Sequence, residues 1–259
     1  MIVGTALVVA CEGSFTTVGS NAQWGFITIA AAKNAAGDYR SVPLGQFFKG
    51  SLSSVPNAQI VFDSCVPGLA YSEASEIVSG VTFLDAGDNL TLQLGSKTET
   101  LPRLIGTTST TYQKGLTAPV SYTPGDSIVV TVPGATGGYP AAEIRGRTAE
   151  PFTNDQVAVP TGTETIKFHW TPATDLNSAM IISMRYRSAN ATSLSAQILC
   201  AFTDDGADSV PYRIHRFWSD ASNTQREVVF TRLRTAIKSQ GAGVLEIISR
   251  YQTPVPVLP

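Results

Sequence analysis

From Trp24 to Tyr251, short apolar segments recur every eight to twelve residues between Gly, Pro, Asn and Asp turn-formers, the spacing of a sandwich or barrel. The run Leu90-Thr91-Leu92-Gln93-Leu94 alternates strictly and puts three leucines on one face of a strand. Thr165 to Trp170 does the same, with Ile166, Phe168 and Trp170 inward and Lys167 and His169 outward. In Ala179 to Arg187, Met180, Ile182, Met184 and Tyr186 share a face opposite Arg185 and Arg187, which predicts an antiparallel strand with one wet face. Further strands are expected over Trp24–Ala31, Tyr39–Phe48, Gln59–Phe62, Val78–Leu84, Thr98–Leu101, Ser127–Val132, Leu194–Phe202, Glu227–Ile237 and Val244–Tyr251. Leu233 to Ser239 could be helical, but its β-branched neighbours favour strand. The closing Thr253-Pro-Val-Pro-Val-Leu-Pro lacks ladder donors and should end as an extended tail or edge.

The pattern gives an all-β fold of two antiparallel β-sandwich domains. Residues 106–117 are polar and poor in bulky apolar side chains, either a linker or a polar strand, and they set the boundary between an N-terminal β domain (23–111) and a C-terminal sandwich (112–259). Charge alters this picture little. The chain carries 18 Lys+Arg against 20 Asp+Glu and only 15% charged residues, where roughly 25% is usual. Residues 1–111 hold 5 basic and 8 acidic side chains, and residues 112–259 hold 13 and 12. Neither half has the cationic surplus that nucleic-acid binding requires.

The N-terminus carries an address. Ile2 to Ala10 is a nine-residue apolar run ending at Cys11, too short to span a bilayer, which takes about 20 residues, yet long enough for the apolar part of a secretory signal. Only Met1 precedes it, so the signal over residues 1–10 reads as truncated. The residues Val8-Val9-Ala10-Cys11 resemble a bacterial lipobox. That resemblance implies removal of residues 1–10, acylation of Cys11, and a membrane held through acyl chains, followed by a tether over 11–22. Glu12, where an Asp marks inner-membrane retention in some bacteria, favours the outer membrane. The alternative is a first β-strand with Cys11 buried in it. Cys65 and Cys200 fall in different predicted domains and are expected as buried free thiols, with a disulfide as the alternative if the domains pack closely enough to bring their Cα atoms within about 7 Å.

The second half resembles the C-terminal sandwich domain of uncharacterised secreted lipoproteins of environmental bacteria. Its basis is the Pro124-Gly125-Asp126 turn, the segment Phe168 to Pro172, and Cys200 followed by Asp204-Asp205-Gly206, over about 130 residues. The resemblance implies an immunoglobulin-like or jelly-roll-like fold and no particular activity.

Candidate chemistry is sparse. There is no G-x-S-x-G, H-E-x-x-H, G-x-x-x-x-G-K-[ST] or C-x-x-C in the sequence, so the markers of nucleophile-elbow hydrolases, zinc peptidases, P-loop proteins and thiol redox proteins are missing. The two histidines, His169 and His215, are expected in surface or core hydrogen bonds. Asp204, Asp205 and Asp208 flank Gly206 and could offer oxygens to Ca²⁺, though a solvated turn is the simpler expectation; no cofactor is expected. Trp170 faces the core, whereas Trp218, beside Arg216 and Asp220, is the best candidate for an exposed aromatic. Arg185, Arg187, Arg213, Arg216, Arg226, Arg232 and Arg234 could form a basic stripe, or pair with the acids of the same half. These features point to a membrane-tethered, non-catalytic binding or structural module meeting a surface polymer or protein. Two alternatives remain. A carbohydrate-binding module requires two coplanar exposed aromatics on one sheet face, and a hydrolase of scattered residues requires a deep pocket with perturbed carboxylates, or His169 or His215, at its mouth.

Overall fold

The computed structural model describes residues 22–33, 36–50, 62–71, 81–107, 109–115, 118–175, 177–241, 243–255 and 257–258. The predicted signal, Cys11, most of the strand expected at 59–62 and residues 78–80 of the strand expected at 78–84 lie outside these residues. The first half contributes β1 (Gln23–Lys33), β2 (Tyr39–Ser41), β3 (Leu44–Lys49), β4 (Ser64–Ala70), β5 (Thr82–Phe83), β6 (Asn89–Leu94), β7 (Lys97–Ile105) and β8 (Thr110–Gln113). Next come β9 (Val120–Tyr122), β10 (Ser127–Val132), β11 (Ala142–Arg147), β12 (Val157–Ala158), β13 (Ile166–His169), β14 (Ser178–Arg187), β15 (Ala196–Thr203) and β16 (Ala207–Val210). A single described helix, α1 (Tyr212–Ser219), precedes β17 (Thr224–Gln240), β18 (Gly243–Val255) and β19 (Val257–Leu258). The protein is all-β. Among the described residues no helix is long and apolar enough to cross a membrane.

Most strands join one mixed sheet in the order β11-β10-β6-β7-β8-β3-β1-β18-β17-β14-β15-β4. Its spine is the hairpin of β17 and β18, paired from Val228↔Val255 to Gln240↔Gly243 and turned at Gly241, whose φ of +59° suits a residue without Cβ. Against that spine β1 runs parallel to β18, from Gln23↔Gly243 to Ala31↔Tyr251. The sheet curls until β11 returns to the spine, where Lys238 Nζ donates to the Glu143 carbonyl at 2.8 Å.

Two large cores result. The first takes Leu90, Leu92 and Leu94 from β6, Ile128, Val130 and Val132 from β10, Ile27 and Ile29 from β1, and Leu245 and Ile247 from β18. The strict alternation of β6 delivers its leucines there with almost no exposure, each burial contributing roughly 2 kcal/mol. The second core gathers Met180, Ile182, Met184 and Tyr186 of β14 with Phe168, Trp170, Phe230 and Trp218. It is roofed by the two-stranded β13–β16 sheet and by α1.

Pairing across the chain departs from the sequence expectation in three places. The expected boundary between 111 and 112 falls inside β8, and strands from its two sides are hydrogen-bonded neighbours: β6 with β10, β1 with β18, and β4 with β15. The polar stretch contains a strand because Tyr112 is an inward anchor with no exposed surface. Cys65 and Cys200 are not free thiols. Adjacency of β4 and β15 makes them register partners with Cα atoms 4.0 Å apart, and they form a disulfide. Nor does β14 have one wet face, since Ala179 and Ile181 are buried on the side away from the second core, in a cluster with Leu199, Ala201, Leu233 and Ile248.

Candidate functional site

Parallel pairing of β1 and β18 stops at Ala31↔Tyr251. Beyond that point β1 turns to β2 through Lys33↔Tyr39, while β18 stays with β17 to Val255. Two strands that part in this way open a fork, the same geometry that makes crevices at the carboxyl ends of parallel strands in other sheets. The fork holds a cleft of about 560 Å³ lined by Lys33, Arg185, Glu227, Tyr251, Gln252 and Thr253, among others. Arg185 is fixed there: Nη1 lies 3.2 Å from Glu227 Oε2, Nε donates to Ser183 Oγ at 3.1 Å, and the Tyr71 ring stacks 4.6 Å from the guanidinium carbon. Lys33 Nζ sits 5.7 Å from the centre of the Tyr39 ring. Lys33, Arg185 and Glu227 charge one side of the cleft, while Ala31, Ala32, Val229 and Pro254 give it an apolar wall, so the arrangement suits an extended ligand with both polar and apolar groups.

A second recess, of about 470 Å³, lies between the Asp85–Asn89 loop and Pro133–Ala135. Arg103 bridges Asp85 and Asp88 there. The Tyr112 hydroxyl accepts the Ala86 N–H at 2.7 Å and can donate to Asp85 Oδ1 or the Gly87 carbonyl. Burial works against ionisation of Asp85, but the Gly87 N–H, the Tyr112 hydroxyl and the Arg103 guanidinium together hold its carboxyl below the ordinary value. Burial, opposed by the Ala86 N–H and reinforced by Asp85, pushes the Tyr112 phenol up to about 12. Gly134 closes the loop at φ +80°, where a Cβ would collide with the Ala141 nitrogen. The charges of this corner are answered internally, which makes it a structural joint.

The most enclosed ionic centre is Asp204 with Arg232, both side chains 1% exposed. Asp204 accepts from Arg232 Nε and Nη2, from Trp170 Nε1 at 2.8 Å and from Ser178 Oγ at 2.6 Å. Arg232 also donates to the carbonyls of Pro151 and Thr171. Asp204 therefore has no oxygen to offer a cation, which corrects its candidacy as a Ca²⁺ ligand. Asp205 Oδ1 faces the Ala207 N–H, and Asp208 Oδ1 accepts the Ser209 N–H at 2.6 Å. Burial, with the charges of Asp63 and Asp205 nearby, raises the Asp208 carboxyl. Among the described residues no group of three His, Cys, Asp or Glu side chains could hold a metal.

The segment around Trp218 is helical, not turn-rich, and Trp218 is fully buried, with Nε1 donating to the Arg185 carbonyl at 3.1 Å. Its indole fills the second core, so the expected exposure is overturned. Arg216, on the same helix, is exposed and stacks over Phe217 at 4.6 Å. His215 is buried, with Nε2 at 2.9 Å from the Glu164 carbonyl and Nδ1 at 3.1 Å from Ser219 Oγ. His169 is exposed beside Asp155 at 3.3 Å. Neither histidine lines the two recesses. Of the seven arginines, three pair with acids instead of forming a stripe: Arg185 with Glu227, Arg232 with Asp204, and Arg234 with Glu150 and Asp175. Stacked aromatics do share a sheet face, Trp24, Phe26 and Phe48, but Trp24 and Phe48 are only 4% and 5% exposed and offer no platform to a sugar.

One unusual group went unmarked in the sequence. Glu246, in the apolar run of β18, is 3% exposed, and its Oε1 has no hydrogen-bond partner. Burial pushes its carboxyl up to about 8. The chain matches no protein-family model and no curated protein sequence.

Proposed function

We propose that the chain is an exported protein of the bacterial cell envelope, anchored by acyl chains on Cys11 and placed at the outer membrane, that acts as a non-catalytic binding or structural module. Its partner is a surface polymer or protein, met at the fork between β1 and β18. The observation that carries this reading is the Cys65–Cys200 disulfide. Such bonds persist in oxidising compartments outside the bacterial cytosol and are rare inside it. The engagement of Asp204, Arg232 and His215 in buried hydrogen bonds also favours scaffold over catalysis. The two large cores support the finer architecture, two sandwich-like units built on a shared β17–β18 spine.

The test is expression from the native gene in a bacterial host, with membrane fractionation and intact mass of wild type beside Cys11→Ser. A detergent-phase protein with acylated Cys11, lost in the variant, is the expected result. Unmodified soluble protein in both cases refutes the anchor.

A further inference from the structure

We infer that the outward face of α1 is a contact surface for an anionic lipid bilayer, an inference that rests on the lipid-anchored reading above. At about 100° per residue, Tyr212, Arg216, Arg213 and Phe217 fall in that order across one arc of the helix, and all four are exposed. His215 and Trp218 occupy the opposite arc with no exposed surface. The helix is fixed from below by Trp218 Nε1 on the Arg185 carbonyl and by His215 on the Glu164 carbonyl. Apart from Tyr212, whose ring meets His215 edge-on at 5.6 Å, its outward side chains are not needed to hold it in place.

Those side chains are unusual for a merely solvated surface. Of the five exposed large hydrophobic residues in the described chain, Tyr212 (39%) and Phe217 (47%) sit on this one helix. Among the described residues Arg213 and Arg216 form no ion pair, and Arg216 lies over the Phe217 ring. The nearby acids do not face them as partners: Asp220 accepts from Ser222 N–H and Oγ, and Glu164 accepts from Thr161 Oγ1. Arg226 adds a third cation, held against the carbonyls of Trp218 and Asp220. Arginine forks match phosphate oxygens, and aromatic rings beside them settle at headgroup depth. Charge and apolar surface together thus specify anionic headgroups.

One short helix would hold a bilayer weakly by itself. A second attachment makes the contact effectively intramolecular when its tether spans the distance. The tether joins β1 at Gln23, beside Gly243 and Gln240, whereas α1 sits over the Arg185 end, beside Glu227, roughly 40 Å along β17, so residues 11–22, with a contour length of roughly 40 Å, reach that end only when extended.

The test uses the full chain carrying Cys11→Ser, floated with vesicles of phosphatidylcholine alone or mixed one to one with phosphatidylglycerol. Stronger retention on the anionic vesicles, falling with added salt, is expected. Arg213→Gln with Arg216→Gln should weaken that retention about thirty-fold, and Phe217→Ser should weaken it on both compositions, each with the melting temperature of the parent. Equal retention on the two compositions overturns the inference. So does a double variant that floats as well as its parent, or capture by soluble dextran sulfate that matches the vesicles and ignores Phe217→Ser. Acylation is read separately by intact mass of the wild-type chain expressed from the native gene. Wild type without acyl groups, together with a Cys11→Ser chain that prefers anionic vesicles, refutes the anchor and supports this contact; acylated wild type, together with a Cys11→Ser chain that lacks the preference, does the reverse.

Discussion

Replacing Glu246 by Gln should make the protein more stable in mild alkali and change its pH dependence. The carboxyl is buried on the strand at the centre of the sheet, between register partners Phe26 and Ile237, with Oε1 unpartnered. Desolvation moves its pKa from an ordinary 4.5 to about 8. The folded state therefore keeps its proton where the unfolded chain has lost it, and stability falls as pH rises. The contribution is complete below pH 4.5 and gone once pH passes 8. At about 1.4 kcal/mol per pH unit, the loss across that window is about 5 kcal/mol. The amide of the variant cannot ionise, so E246Q and wild type should have similar urea midpoints near pH 4.5 and diverge steadily, the variant being more stable by several kcal/mol once the pH is above 8. Urea denaturation in half-unit pH steps measures the difference directly, because every other titrating group is common to both proteins. Parallel pH profiles would show that this carboxylate is solvated or paired in the folded protein, and would sink the argument.

Removing the disulfide with Cys65→Ala and Cys200→Ala should lower stability by up to about 5 kcal/mol in a chain-entropy account, since it closes a separation of 135 positions; a melting temperature unchanged by the substitutions or by dithiothreitol contradicts this. Asp204→Ala should cost about 3–5 kcal/mol by leaving Arg232 charged and uncompensated, with part of the loss recovered when Arg232→Met is added; an additive double variant in urea titrations refutes the coupling. Tyr139→Phe removes a buried hydroxyl that has no partner and should be neutral or stabilising, whereas Tyr112→Phe strips the partner of Ala86 N–H and should cost about 1–3 kcal/mol. Equal thermal shifts for the two would contradict that distinction.

Where the sequence alternated, it could be read. The strands at Leu90–Leu94, Ser127–Val132 and Ile166–Trp170 and the inward face of β14 follow from period-two patterning alone, because side-chain direction in a strand is local geometry. Strand neighbours are not local, so nothing in the order of residues indicated that β1 lies beside β18 or β4 beside β15, and the free-thiol expectation failed with them. The helix α1 was hidden for another reason. Tyr212-Arg213-Ile214-His215-Arg216-Phe217-Trp218 mixes aromatic and basic residues with no capping side chain at Pro211, and its two-sidedness emerges only at about 100° spacing. Asp204 looked like a surface ligand because its partner, Arg232, is 28 positions away. The cleft arises from two strands parting, and Glu246 differs from its neighbours only in what surrounds it.

The placement of β1 beside β18 also bears on how the chain is made. Gln23 leaves the ribosome long before its register partner Gly243, and Leu245 and Ile247 complete the first core only once they too have emerged. Local hairpins such as β6–β7 and β10–β11 can form as they appear, but the middle of the sheet must wait for residues far apart in the order of synthesis. Contacts of such long separation form slowly. Until β18 has been made, the nascent chain lacks its central sheet and stays threadable.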